Sequence, residues 1–496
     1  MNTTKRGLLA TIGAAVAAAA LVLTGSVAAT AAPLPVPTQS AVTITKLSQP
    51  GTLGQPANGT QLPSMPTGSS PIAGVVFDYY LVTNTGVGAA NDIGTQTGQV
   101  YASGLTAATA PVPGTKTGSF DVTVANGQTT KTLPRGLYVV KESTTPAGVT
   151  PAAPFLLAVP LTDPVNRDNW LSTIYVYPKN AQTGATKTVG SESLTVGGTA
   201  TWTISADIPR NANPAGGTPA FVAPDAFEID DTLTDAELTL NSVTVKAGAT
   251  TLTSGTDYTV TPVSSGGTTK QQIVFTASGL AALATAINAD ANAKVVATLV
   301  TTVNKAAVIS NSASVFPDKQ SKTNNTPITT PPVQTKYGSY LLNKKSSDTT
   351  VTDLSGAQFR VYASQASAIA GGNDYLTTST NTAGLWTTAA NGQVLVGGLR
   401  YSSWANGTTT ATPQTYWLVE VKALPNHQLL AAPVSFTVDD NSATQTTTIV
   451  NQKTTGGFVL PLTGGSGVAL FTVFGIGILA AVLVVARLRR RSVTED

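Results

Sequence analysis

Between residue 32 and about residue 455 the chain alternates apolar and polar residues in short runs, broken by Gly, Asn, Pro and Thr turns. A period of two puts every second side chain on the same face, so each run reads as a half-buried strand. The expectation is an all-β chain of sandwiches, with one short helix around Leu280 to Ala289. Thr, Ala, Gly, Ser and Val dominate the composition, which suits strands with polar outer faces.

At 496 residues the chain is too long for one core and calls for about three domains. The Pro/Thr/Asn-rich segment Thr323 to Thr335 reads as a linker, and Pro178 to Gly184 reads as a shorter joint. The resulting units are 32–180, 181–333 and 334–455. The first and third share a weak repeat: Gly74-Val75-Val76-Phe77 matches Gly356-Ala357-Gln358-Phe359, and Tyr138 to Pro146 matches Tyr416 to Pro425. With a net charge of only +3, nucleic acid is not an expected partner.

The two ends carry processing signals. Lys5 and Arg6 precede an apolar stretch from Leu8 to Leu23 and the small-residue site Ala29-Thr30-Ala31, so residues 1–31 read as a signal peptide and the mature chain as secreted. At the other end Leu460-Pro461-Leu462-Thr463-Gly464 precedes about 19 apolar or small residues, Val468 to Ala486, enough to span a bilayer. Arg487, Arg489, Arg490 and Arg491 then hold the tail on the cytoplasmic side, a transient retention that presents the pentapeptide outside the membrane. This order, over 456–496, resembles the LPxTG sorting signal of Gram-positive wall proteins. The resemblance implies cleavage between Thr463 and Gly464 by a sortase and attachment to peptidoglycan.

No cysteine is present, so an exported chain lacks disulfides and any covalent staple needs other chemistry. Lysines stand where a core belongs. Val42, Ile44 and Lys46 share one strand face, as do Tyr340, Leu342 and Lys344, with Lys345 a competing choice for Lys344. The same parity aligns Glu142 with Tyr138 and Val140, Glu420 with Tyr416 and Leu418, and Asn451 with Thr447 and Ile449. In the middle unit Lys187 follows the joint, Asp231 shares a face with Phe227, Ile229 and Leu233, and Asn311 with Ile309 and Ala313. Burial lowers the pKa of a lysine and raises that of a carboxyl, so neutral amine and neutral acid coexist. Such an amine can attack an Asn carboxamide while the acid relays protons, giving an intramolecular isopeptide bond.

With these residues the whole mature chain resembles the CnaB- and CnaA-type immunoglobulin-like modules of Gram-positive pilins, in the order CnaB, CnaA, CnaB. The resemblance implies three sets: Lys46, Asn180 and Glu142; Lys187, Asn311 and Asp231; Lys344, Asn451 and Glu420. In each the carboxyl residue is catalytic for the self-formed bond. Trp170 to Asn180, ending Tyr177-Pro178-Lys179-Asn180, resembles the pilin motif, which implies that Lys179 receives Thr463 of an identical subunit in a head-to-tail polymer. Tyr416 to Pro425 resembles the E-box, although Asn426-His427 replaces its usual Gly-aromatic ending. The implied function is the shaft subunit of a covalent surface pilus supporting adhesion. The alternative is a monomeric wall-anchored adhesin or minor pilin. Partners would be a pilus-specific and then a housekeeping sortase, minor pilins, peptidoglycan and a host receptor that the sequence does not identify. No enzyme motif stands out, His427 is the one histidine, and neither cofactor nor metal is expected.

Overall fold

The computed structural model describes residues 34–50, 57–190, 192–213, 217–444 and 446–454, and in the tail 482–484 and 487. The signal peptide and the pentapeptide Leu460 to Gly464 lie outside the described residues. No helix among the described residues is long and apolar enough to cross a membrane.

The first domain packs two sheets. One has the order Gln128–Pro134, Gln39–Thr45, Thr173–Val176; the other has the order Gly118–Ser119, Val76–Leu81, Gly136–Thr144, Phe155–Val159. Its first and last long strands run parallel, Val42 opposite Ile174. Alternation sends Val42, Ile44, Phe77, Tyr138, Val140 and Ile174 into a common core. On the Gly136–Thr144 strand Leu137 and Val139 are buried as well, because a satellite cluster with Val82 and Ala110 covers the opposite face. Helix α1, Gln96–Ser103, lies within that covering segment and is capped by Thr95.

In the middle domain two five-stranded sheets enclose the largest core, centred on Trp202, whose indole N–H donates to Thr301 Oγ1 at 3.0 Å. Its one expected helix is α2, Ala277–Ala289, seated by Leu283 and Ile287. The third domain pairs Val333–Ser346 with Gln393–Arg400 antiparallel and with Thr446–Asn451 parallel, over a sheet of Gln358–Tyr362, Tyr416–Lys422 and neighbours. A short helix α4, Gln365–Ala370, follows Gln358–Tyr362.

Two segments read as connectors are ordered pieces of the fold. Thr323 to Thr335 holds the end of helix α3 (Lys319–Asn324), the strand Ile328–Thr329 and the start of Val333–Ser346. That last strand pairs first with Val308–Asn311 of the middle domain, then with strands of the third, so one strand serves both. Pro178 to Gly184 contains the strand Lys179–Gln182, paired parallel to Leu47–Ser48 and antiparallel to Val149–Thr150. Turn-rich composition misled at both places because strand pairing needs backbone groups, not apolar side chains.

Candidate functional site: buried lysine, asparagine and acid sets

In the first domain Lys46 directly follows the first strand, and Asn180 lies in Lys179–Gln182, which pairs with Leu47–Ser48 just beyond that lysine; both are essentially fully buried. Lys46 Nζ donates to Glu142 Oε1 at 2.5 Å and to Asn180 Oδ1, while Asn180 Nδ2 donates to Glu142 Oε2 at 2.5 Å. The three groups close a ring, with the Phe77 ring 5.9 Å beneath the amine. Burial lowers the Lys46 amine to about 8, against the opposing pull of Glu142; the Lys179 charge adds to the lowering.

In the middle domain Lys187 Nζ donates to Asp231 Oδ2 at 2.7 Å and to the Ser312 carbonyl, next to Asn311, at 3.3 Å. Trp202 forms the floor, 5.5 Å from the amine. Burial lowers Lys187 and raises Asp231, the latter opposed by the Lys187 charge and, more weakly, by Asn311. Both polar atoms of the Asn311 carboxamide and Asp231 Oδ1 are buried without a hydrogen bond. Orphans of this kind cost about 1–3 kcal/mol each in a finished core.

In the third domain Lys344 is fully buried while Lys345, the competing choice, points outward. Lys344 Nζ lies 3.6 Å from Glu420 Oε1 and donates to the Ile449 carbonyl at 3.3 Å; Asn451 Nδ2 donates to Glu420 Oε2 at 2.7 Å. Burial lowers Lys344, with Glu420 pulling the other way. Sequence reasoning missed two backbone donors: Leu430 N–H to Glu420 Oε2 at 2.8 Å, and Leu424 N–H to Asn451 Oδ1 at 3.3 Å. Main-chain donors leave no composition signal. The altered E-box ending keeps a tight turn, because Asn426 adopts a left-handed φ of 61°. His427 Nδ1–H donates to the Pro425 carbonyl at 2.7 Å and Nε2 sits 2.7 Å from Ser346 Oγ.

Lys179 differs from its neighbour. It is half-buried, and burial lowers its amine. The residue before it, Pro178, borders a groove of about 410 Å³ lined by Phe155, Leu157, Leu161, Ile174, Tyr175 and Tyr177. Among the described residues no cluster of three or more His, Cys, Asp or Glu side chains has metal-binding geometry.

Comparison with known proteins places these features in context. Residues 37–181 match the Gram-positive pilin subunit D1 N-terminal domain, residues 338–453 a prealbumin-like fold domain, and residues 452–493 the LPXTG cell wall anchor motif. The chain is 31% identical over 395 residues to fimbrial subunit type 1 of Actinomyces viscosus, covering 72% of this chain and 73% of that one. It is 25% identical over 402 residues to fimbrial subunit type 2 of Actinomyces naeslundii, covering 74% and 72%. The fold is similar to that of the full-length major pilin SpaD of Corynebacterium diphtheriae, with a TM-score of 0.61 and 22% identity over 84% of this chain and 98% of that one.

Proposed function

Because the chain belongs to the fimbrial subunit family of Gram-positive bacteria, we propose that its polymer is built by joining Thr463 of one copy to the Lys179 amine of the next. The protein is a sortase-processed shaft subunit of a pilus anchored to the cell wall. It is the substrate of that chemistry. The Thr463–Gly464 bond breaks as a sortase cysteine takes the Thr463 acyl group. Lys179 Nζ then displaces the cysteine, a new amide forms and one proton leaves the amine.

The observation that carries the reading is the contrast between two adjacent residues. Asn180 is buried against Glu142, whereas Lys179 keeps its amine half-exposed with burial holding its pKa down, so more of it is unprotonated and nucleophilic near neutral pH. The groove ending at Pro178 supports a seat for Leu460-Pro461-Leu462 of the incoming copy, since its apolar walls suit those side chains. In cells making pili, Lys179→Ala is expected to remove the high-mass ladder and leave anchored monomer. A ladder that persists in that strain overturns the assignment of Lys179.

Within each domain the same proposal gives Lys46–Asn180, Lys187–Asn311 and Lys344–Asn451 amides. Nζ attacks Cγ, the Cγ–Nδ2 bond breaks, a proton passes from Nζ to the leaving nitrogen through Glu142, Asp231 or Glu420, and ammonia departs. The ring of hydrogen bonds in the first domain and the orphaned Asn311 carboxamide in the middle one support this.

A further inference from the structure

Behind the buried lysine of each outer domain lies the same four-residue turn, Ala125-Asn126-Gly127-Gln128 in the first and Ala390-Asn391-Gly392-Gln393 in the third. In both, the Asn Oδ1 accepts from the Gln backbone N–H at 3.0 Å, and the Asn Nδ2 donates to the Gln Oε1, at 3.1 Å in the first and 3.0 Å in the third. The glycine carbonyl then accepts the backbone N–H of the lysine itself: Lys46 to Gly127 at 2.7 Å, Lys344 to Gly392 at 2.7 Å. Both glycines have left-handed φ, 73° and 78°. A Cβ on Gly127 would stand 2.4 Å from the Lys46 carbonyl oxygen, and one on Gly392 would stand 2.2 Å from that of Lys344. Each turn is anchored from below by a threonine, Thr123 Oγ1 donating to the Ile72 carbonyl at 3.0 Å and Thr388 Oγ1 to that of Leu354 at 2.7 Å. Lys187 of the middle domain instead sits within regular strand pairing, opposite Ile204.

A lysine side chain has four rotatable carbons, so its amine reaches the asparagine only if the backbone it springs from is fixed. Misplacement by about 1 Å can cost about a hundredfold in rate. Resting on the amide-forming reading above, we infer that the Asn-Gly-Gln turns are positioning elements, with Gly127 and Gly392 clamping the backbone of Lys46 and Lys344 so that each amine meets Asn180 or Asn451. The clamp needs glycine twice over, for the left-handed φ and for the close approach to the lysine carbonyl.

The test is a pulse-chase synthesis of the full chain, with the Lys344–Asn451 and Lys187–Asn311 cross-linked peptides quantified by mass spectrometry over time and pH. Gly392→Ala is expected to slow the third-domain bond about a hundredfold. Asn391→Ala changes only an exposed side chain that braces the turn, so the domain still folds, and it is expected to slow that bond about tenfold. Gly371→Ala, in the same domain with a φ of 63° and nothing within 4 Å of its Cβ, leaves the rate unchanged, as does each variant at the Lys187–Asn311 bond. In Asn391→Ala the pH midpoint of the chase moves up, because a loosened lysine regains water; a merely structural role leaves that midpoint in place. Wild-type rates in both Asn391→Ala and Gly392→Ala, an equal slowing by Gly371→Ala, or an unmoved pH midpoint overturns the clamp. Absence of both cross-linked peptides from the wild-type chain overturns the amide reading as well.

Discussion

Lys46 is the residue whose protonation most directly reports on the core. Its amine is held at about 8 in the folded chain against 10.5 for a free lysine. If Asn180→Ala blocks the amide, Lys46 keeps a titrating amine beside Glu142. Between about pH 8 and 10.5 the unfolded chain then binds more protons than the folded one, so stability rises with pH through that window. Integrated over the shift, the gain approaches about 3 kcal/mol. Thermal melts of Asn180→Ala from pH 7.5 to 10.5 are expected to show the first-domain transition moving upward, whereas the wild type, with its amine consumed, stays flat. A flat Asn180→Ala profile means that Lys46 is not desolvated. The inward direction of this lysine was legible because Val42 and Ile44 set the parity of its strand. The carbonyls of Ser312 and Ile449 that receive the other two amines were not, since any residue supplies a carbonyl.

Elements join the domains. Helix α3 is capped by Asp318, whose side chain accepts the Ser321 N–H at 2.7 Å, and it lies against the end of the strand that carries Glu142. Gln320 Nε2 donates to the Glu142 carbonyl at 3.0 Å and Thr145 Oγ1 bonds Gln320 Oε1 at 3.0 Å. The Gly136–Thr144 strand pairs with Phe155–Val159 only as far as Val140, so the Glu142 carbonyl is free to take this side-chain partner. Gln320→Ala removes two hydrogen bonds worth about 1 kcal/mol each. Hydrogen exchange at the Glu142–Thr145 amides is therefore expected to accelerate up to roughly thirtyfold, with the third domain unchanged; equal protection in both proteins means that α3 does not hold this junction. Neither α3 nor the first residues of the strand Val333–Ser346 was legible as structure, although Tyr340, Leu342 and Lys344 further along that strand read as one face. Their Pro, Thr and Asn content resembles a linker, and what orders them is pairing with partners distant in sequence. The two-sheet layout was legible because alternation is a local property, and the satellite cluster around Val82 was not because it buries the second face of a strand already read as one-sided.

At the scale of the whole molecule, the proposed linkages fix where tension runs. A subunit in the shaft is held at Lys179 by the copy before it and at Thr463 by the copy after it, so the covalent path begins at residue 179 and the residues of the first domain before it hang outside it. Within the path the Lys187–Asn311 amide shunts force past nearly all of the middle domain, and Lys344–Asn451 does the same for the third. The parallel pairing of Val333–Ser346 with Thr446–Asn451 puts the second shunt between neighbouring strands. Closing loops of over a hundred residues also stabilises each domain by about 4–5 kcal/mol if such amides act as disulfides of that span do. The three bonds therefore have different mechanical weight. Pulled between Lys179 and the C-terminus, Lys344→Ala is expected to release roughly a hundred additional residues, or roughly 350 Å of chain at about 3.5 Å per residue. Lys187→Ala releases slightly more. Lys46→Ala adds no length, because the domain that its bond closes lies off the path. Its consequence appears instead in assembly: the Lys46 amide ties Asn180, and with it the strand bearing Lys179, to the first strand, so its loss slows ladder formation while leaving the extension of finished shafts as in the wild type. An extra length step in Lys46→Ala shafts places the intersubunit joint somewhere other than Lys179.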